Sequence, residues 1–535
     1  MQHNIPLLSE ITLPDIYEGL DNGLFTSVDL VNAYLARIQE VDHEYNSVIQ
    51  TSSNALRIAQ SLDAERQNRG SRGPLHGLPI LLKDNIPTLD CTETTCGSLA
   101  LLGCKPPDEA VVVTGLRKAG AVILGKANMA EWAGFRSTNG CSGWSPRGGQ
   151  MTGIFWPGMK SSGSSTGSAI ATALGLCFAA VGTETCYSIT APAEKCGIIG
   201  FKPSRDVLPS EGIIYASQRQ DTVGLLTRTV DDAVLMCMEL VPQCGNQLTE
   251  RQLQIIQHTQ ATGPSLDLTG IRIGIPRGLR ETQDIPACKQ EAFEGVIQKL
   301  KVAGAQIVNF WNLKGAKEFE GLSQAERHIV LDTDMKIAIN AYLGSLTVNP
   351  KDINTLYDLI GFLKICPEEE FSKWNVEALE RAQATHPSHE LYQRMLKRDI
   401  YFAGEGGIRG ALDRYNCDVL LIPTLSVTMQ TFAARAGSPV MSVPMGVFPE
   451  ETAIERDPKN GMVTAAPGIP FSGFVFGRVG RDEDVLKVGY VFEQLTMVRN
   501  QLKPYLEPQK EIEDVKEPTP MDPLTTVSEE NMEGT

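Results

Sequence analysis

Short apolar runs, each bracketed by glycine, proline or a charged residue, recur along this chain and limit its fold more than any other feature. Leu78–Leu82 reads LPILL, Ala121–Gly125 reads AVILG, and Asp418–Thr424 reads DVLLIPT. Each is too short for a buried helix and borders residues that break one, so each is expected as a buried strand. Further strands are expected in CFAAVGTET, IRIGIP, SPVMSVPMG and GIPFSGFVFG. Between them lie segments of helical period. In Thr26–Val41, Val31, Tyr34, Leu35 and Ile38 share one face, and Thr26 with Asp29 makes a capping-box pattern at its start. Asn54–Gln67, Ser168–Leu176 and DEDVLKVGYVFEQLTMV read the same way, and residues from about 249 to 422 are mostly helical in pattern. This alternation argues for an α/β layered fold.

The chain can bury a large core, with 535 residues of which 42% are hydrophobic. Its 48 basic against 64 acidic side chains, a net charge of −16, weigh against nucleic acid or an anionic membrane as partner. No apolar run approaches the ~20 residues of a membrane helix, and the first residues show no basic start, so no secretory leader is expected. Twelve cysteines at irregular intervals, without a C-x-x-C pair, read as buried thiols in a reducing, cytoplasmic compartment and do not suggest a metal site. From Glu507 onward nine acidic residues face two lysines with few large apolar residues, so 507–535 is expected to be an acidic disordered tail behind one domain, residues 1–506.

The chemistry centres on Lys160–Gly175, KSSGSSTGSAIATALG. A glycine- and serine-rich loop opening a helix is a candidate anion site. The phosphate-loop pattern fails, because no lysine follows the last glycine of GSSTGS. Serine hydroxyls also serve as nucleophiles when a base takes the proton. The seven histidines form no triad motif: His76 precedes a strand as a packing or turn residue, and His386 and His389 lie in a polar loop. A buried lysine can act instead, since burial disfavours the ammonium form. Lys83 ends LPILL beside Asp84 and Asn85. Taken alone, it reads as a strand-end lysine reaching solvent.

Its company changes that reading. HGLPILLKDNI, ILGKANMAEWAG, SSGSSTGSAIATALGL, GTETCYSITAPAEKCGIIGFKPS, QDTVGLLTRTVDDA, DVLLIPT and FVFGRVGRDEDVLKVGYVFEQL occur in that order. Together they resemble the amidase signature family of serine hydrolases. GWSPRGGQ, Gly143–Gln150, resembles its fungal-type members. The resemblance implies an α/β domain with a twisted mixed sheet covered by helices on both faces, acting on a small-molecule amide without metal or organic cofactor. It implies a relay in which Lys83 is the base, Ser164 the intermediate serine on a cis peptide bond, and Ser188 the nucleophile. Backbone amides of Thr185, Cys186, Tyr187 and Ser188 would hold the oxyanion. Trp132 and Ala133 match a segment lining the acyl pocket. Ser165 and Ser168 are expected to cap the helix or bond Lys83, while Asp221 and Arg228 are expected to support the fold. Residues from about 320 to 410 are expected to roof the pocket and set specificity. A homodimer is compatible with all of this.

Four positions depart from the family pattern. Cys186–Tyr187 stands where the family has glycine before the nucleophile, Thr190 replaces a frequent arginine, and Thr166 stands where glycine or serine is common. The departures leave the relay intact and leave the outcome open. Besides hydrolysis, the same residues fit an amide-forming acyltransferase, a catalytically degenerate binding protein, or the glutaminase subunit of a tRNA amidotransferase.

Overall fold

The computed structural model describes residues 5–140, 142–244, 265–279 and 285–516. The apolar runs pair into one eleven-stranded mixed sheet. Its order is Val48–Thr51, Val122–Ala127, Pro79–Lys83, Ala179–Glu184, Thr222–Thr227, Ile199–Lys202, Val440–Val447, Pro470–Gly477, Val419–Ile422, Arg272–Pro276 and Gln306–Phe310. Pro79–Lys83 runs parallel to both of its neighbours, whereas Thr222–Thr227 runs antiparallel to both of its own.

The all-apolar character of these runs has a simple cause: both sheet faces are covered. Val419 and Leu421 enter one core, and Leu420 and Ile422, pointing the opposite way, enter another. The first core holds the helices Ser27–Tyr45 and Ala55–Arg69. The second gathers Phe319, Phe402 and Phe432. A third cluster joins Cys96, Met129 and Trp132 to Leu343, Leu359 and Leu363 of the helical segment that follows residue 320.

Local signals hold at the ends. Thr26 accepts from the amide of Asp29, and the Asp29 carboxylate answers at the Thr26 amide, 2.8 Å away. The helix expected at Ser168–Leu176 spans Thr166–Ala173. The turn expected at CYSITAP is shorter than its motif, because a helix starts at Thr190.

The expected tail boundary at residue 507 is wrong. Ile512 is buried, Ile512–Val515 is helical, and Glu511 accepts the Leu8 amide at 2.8 Å and pairs with Arg37 at 2.8 Å. A compositional reading misses this because one buried isoleucine and one well-placed carboxylate dock the segment. Residues 517–535 of the expected tail, with 249–264 and 280–284 of the helical stretch, lie outside the described residues. Among the described residues no helix is long and apolar enough to cross a membrane.

Candidate active site

Parallel pairing of Leu82 with Val181 sets Lys83 and Thr183 at the carboxyl ends of neighbouring strands. Lys83 is fully buried. Its Nζ lies 2.8 Å from Ser164 Oγ, 2.9 Å from Thr183 Oγ1 and 3.0 Å from the Thr183 carbonyl oxygen. Asn85 Nδ2 donates to the same Thr183 hydroxyl at 3.0 Å. Burial pushes the Lys83 amine down to about 7, against the opposing influence of Cys96, Asp221 and Glu184.

Ser164 reaches this amine from the glycine–serine loop, and the Gly163–Ser164 peptide bond is cis, as the resemblance implied. The helix entrance is crowded. A Cβ on Gly167 would lie 2.2 Å from the Ser47 carbonyl oxygen and 2.5 Å from that of Asn128, so only glycine fits there. Thr166 is accommodated because its hydroxyl donates to the Ser162 carbonyl at 2.7 Å.

The second loop follows the Ala179–Glu184 strand. Ser165 N donates to the Ser188 carbonyl at 2.9 Å and joins the two serine-bearing segments. Ser164 and Ser188 both line a cavity of about 760 Å³. Among the described residues, no hydrogen bond connects their hydroxyls. Nor do the amides of Thr185, Cys186, Tyr187 and Ser188 have an acceptor among those residues, and all four residues line the cavity.

The turn owes its shape to a residue the motif reading passed over. Glu184 Oε2 accepts the amides of Ile189 at 2.8 Å and Thr190 at 3.0 Å, and the Thr190 hydroxyl at 3.2 Å. The carboxylate thus caps the helix following Ser188. Thr183 was passed over as well. Both lie in the quoted GTETCYS segment, and a carboxylate inside an otherwise apolar strand was the available signal.

Cys186 and Tyr187 keep negative φ, so this turn needs no glycine. Burial holds the Cys186 thiol up to about 12, which keeps it protonated. Ala133 lines the cavity, but Trp132 does not: its ring is buried in the third cluster. Both residues have positive φ, 49° and 57°, and the chain turns between them.

Ser165 and Ser168 depart from expectation. Ser165 sits at the cap position without capping, and its hydroxyl donates to the Thr183 carbonyl at 3.1 Å. Ser168 Oγ is buried and reaches neither Lys83 nor a cap partner among the described residues. Ser165 packs so closely on the sheet that a Cβ on Gly182 would lie 2.9 Å from its Oγ, which turns that hydroxyl toward Thr183. Asp221 accepts the Ala216 amide at 2.6 Å, and Arg228 donates to the Phe178 and Ile11 carbonyls at 2.9 and 2.8 Å, so both support the frame. His76 sits in a turn, its Nδ1 accepting from the Arg72 amide at 3.0 Å.

The helix Gln324–Ser345 forms one wall through Gln324, Arg327, His328 and Leu331, a single helical face. Hydrophobic periodicity does not reveal such a face because it is polar. Buried Arg136 ties this helical region to the loop after Ala130, donating to the Trp374 and Glu369 carbonyls at 2.8 and 2.9 Å and lying 2.9 Å from Glu131.

The Amidase family profile matches residues 29–486. A protein of Arthroderma benhamiae that carries an amidase name by inference is 35% identical over 96% of this chain and 90% of its own length. The peptide amidase of Stenotrophomonas maltophilia superposes with a TM-score of 0.78 at 30% identity, over 94% of this chain and 99% of that one. An amidase family protein of Bacillus anthracis gives 0.76 at 26% identity, over 94% and 92%. Sequence kinship and shared architecture over nearly the whole length lead to one conclusion: this chain belongs to the amidase signature family.

Proposed function

We propose that the chain hydrolyses a small-molecule carboxamide through an acyl-enzyme on Ser188. The reading rests chiefly on the 2.8 Å contact between Ser164 Oγ and an amine that burial holds near neutrality. An ammonium at Lys83 would donate to all three of its oxygen neighbours. The neutral amine donates two N–H groups to Thr183 and keeps one lone pair for the Ser164 O–H. Ser164, so turned, offers its own lone pair to the Ser188 hydroxyl, a contact that tightens when substrate fills the cavity.

Ser188 Oγ then attacks the carbonyl carbon, and its proton passes through Ser164 to Lys83. The oxyanion forms against the open amides of the Thr185–Ser188 turn, each such donor being worth about 2.7–4 kcal/mol. The same relay returns the proton to the departing nitrogen as the C–N bond breaks. Water then attacks the acyl carbon and its proton passes along the same path to Lys83; as the bond from the acyl carbon to Ser188 Oγ breaks, the relay returns that proton to Oγ and the carboxylic acid leaves. The name of the Stenotrophomonas relative supports an amide over an ester as the bond cleaved.

Labelling with a fluorophosphonate tests the reading. The wild-type chain should label at a single serine, Ser188→Ala should not label, and Lys83→Ala should label about 100-fold more slowly or worse. Equal labelling of Lys83→Ala and wild type would refute the relay.

A further inference from the structure

Tyr187 immediately precedes the proposed nucleophile, and nothing in the backbone requires it. Its φ is negative, the turn is held from below by Glu184, and the residue could be small without altering either feature. Its ring is 37% exposed, while Ser188 beside it is 7% exposed, and both line the cavity. The phenol hydroxyl has no hydrogen-bond partner among the described residues, so the ring is not placed there by a polar anchor. Phe135, Phe319, Leu331 and Val427 add apolar wall to the same cavity. An acyl group attached at Ser188 thus has a flat aromatic face and these apolar side chains within the same cavity.

We infer that Tyr187 selects the acyl half of the substrate, favouring amides of planar aryl carboxylic acids over saturated rings of similar size. The inference rests on acylation at Ser188. An aromatic acyl group gains an offset or edge-on contact with the ring that a cyclohexyl group does not match, a difference of about 2- to 10-fold for one such pair.

The test compares benzamide with cyclohexanecarboxamide in the wild-type chain, Tyr187→Phe and Tyr187→Leu, by kcat/KM and by binding to each chain with Ser188→Ala added. Tyr187→Leu keeps the bulk and removes the aromatic face, while Tyr187→Phe keeps the face. The expected result is that wild type and Tyr187→Phe prefer benzamide, and that Tyr187→Leu loses the preference by about 2- to 10-fold in turnover and in binding. A Tyr187→Leu chain as selective as wild type overturns the inference and leaves the hydrolase reading standing. Turnover of neither amide together with no fluorophosphonate labelling at Ser188 overturns the hydrolase reading, and the inference with it. Binding that ignores Tyr187 overturns the inference whatever the turnover.

Discussion

Thr183 meets Lys83 twice, with its carbonyl oxygen 3.0 Å and its hydroxyl oxygen 2.9 Å from Nζ. These two contacts use both donors of the neutral amine and aim its lone pair at Ser164. Thr183→Val removes one acceptor and lets the amine turn. We expect kcat to fall about tenfold with KM little changed, the loss of one buried hydrogen bond being worth about 1 kcal/mol or somewhat more. Steady-state kinetics on any accepted amide checks this.

The Lys83 amine, lowered to about 7, fixes the direction of two pH effects. In the proposed relay the neutral form is the base, so kcat/KM should rise with pH and level off above about pH 7. For stability, the folded state releases this proton at lower pH than the unfolded state, whose amine has its ordinary value near 10.5. The penalty for burying the ammonium is thus full below pH 7. It is relieved between pH 7 and 10.5 at about 1.4 kcal/mol per pH unit. Lys83→Met should therefore be inactive and more stable than wild type at pH 6, with the advantage shrinking as pH rises. Denaturant melts at a series of pH values read it directly.

Glu184 shapes the turn without touching substrate. Its carboxylate holds the amides of Ile189 and Thr190 together, and a glutamine there presents an N–H₂ group as well as its oxygen. Glu184→Gln should lower kcat about 10- to 100-fold with KM within a few-fold of wild type, since oxyanion donors act in the transition state. Thr190→Val, which removes the 3.2 Å contact to Glu184 and the acceptor of Gln430 Nε2 at 3.4 Å but leaves both amide contacts, should have the smaller effect. The KM-against-kcat split separates a misaligned turn from a lost binding contact.

Glu511 closes the far side of the molecule. It pairs with Arg37, whose side chain is only 2% exposed, and it accepts the Leu8 amide. Glu511→Ala leaves a buried guanidinium without its carboxylate and should cost about 3 kcal/mol. Truncation after residue 506 should destabilise in the same direction. Urea unfolding of the two variants against wild type measures both.

Legibility from sequence tracked how local the cause was. The capping box at Thr26, the strands at LPILL and DVLLIPT, and the helix Asp482–Thr496 are set by neighbours within one or two turns, so periodicity and caps found them. Lys83, Ser164 and Ser188 were legible by resemblance only. No local rule links residues that far apart, and by itself the lysine reads as a solvated strand end. Trp132 was misplaced because a motif match carries no side-chain direction, and the reversed φ at 132 and 133 sends one side chain to the core and the other to the cavity.

The amino-acid sequence alone determined the layered α/β class, the family and the identity of the polar residues gathered at the site. Tertiary structure decided what those residues are. The parallel pairing of two strands put an amine beside Thr183, and burial lowered it toward neutrality. A carboxylate at the end of one strand took the amides of Ile189 and Thr190 and so shaped the next turn. These effects depend on distance and dielectric across the sheet, quantities the order of residues does not contain until the chain is packed.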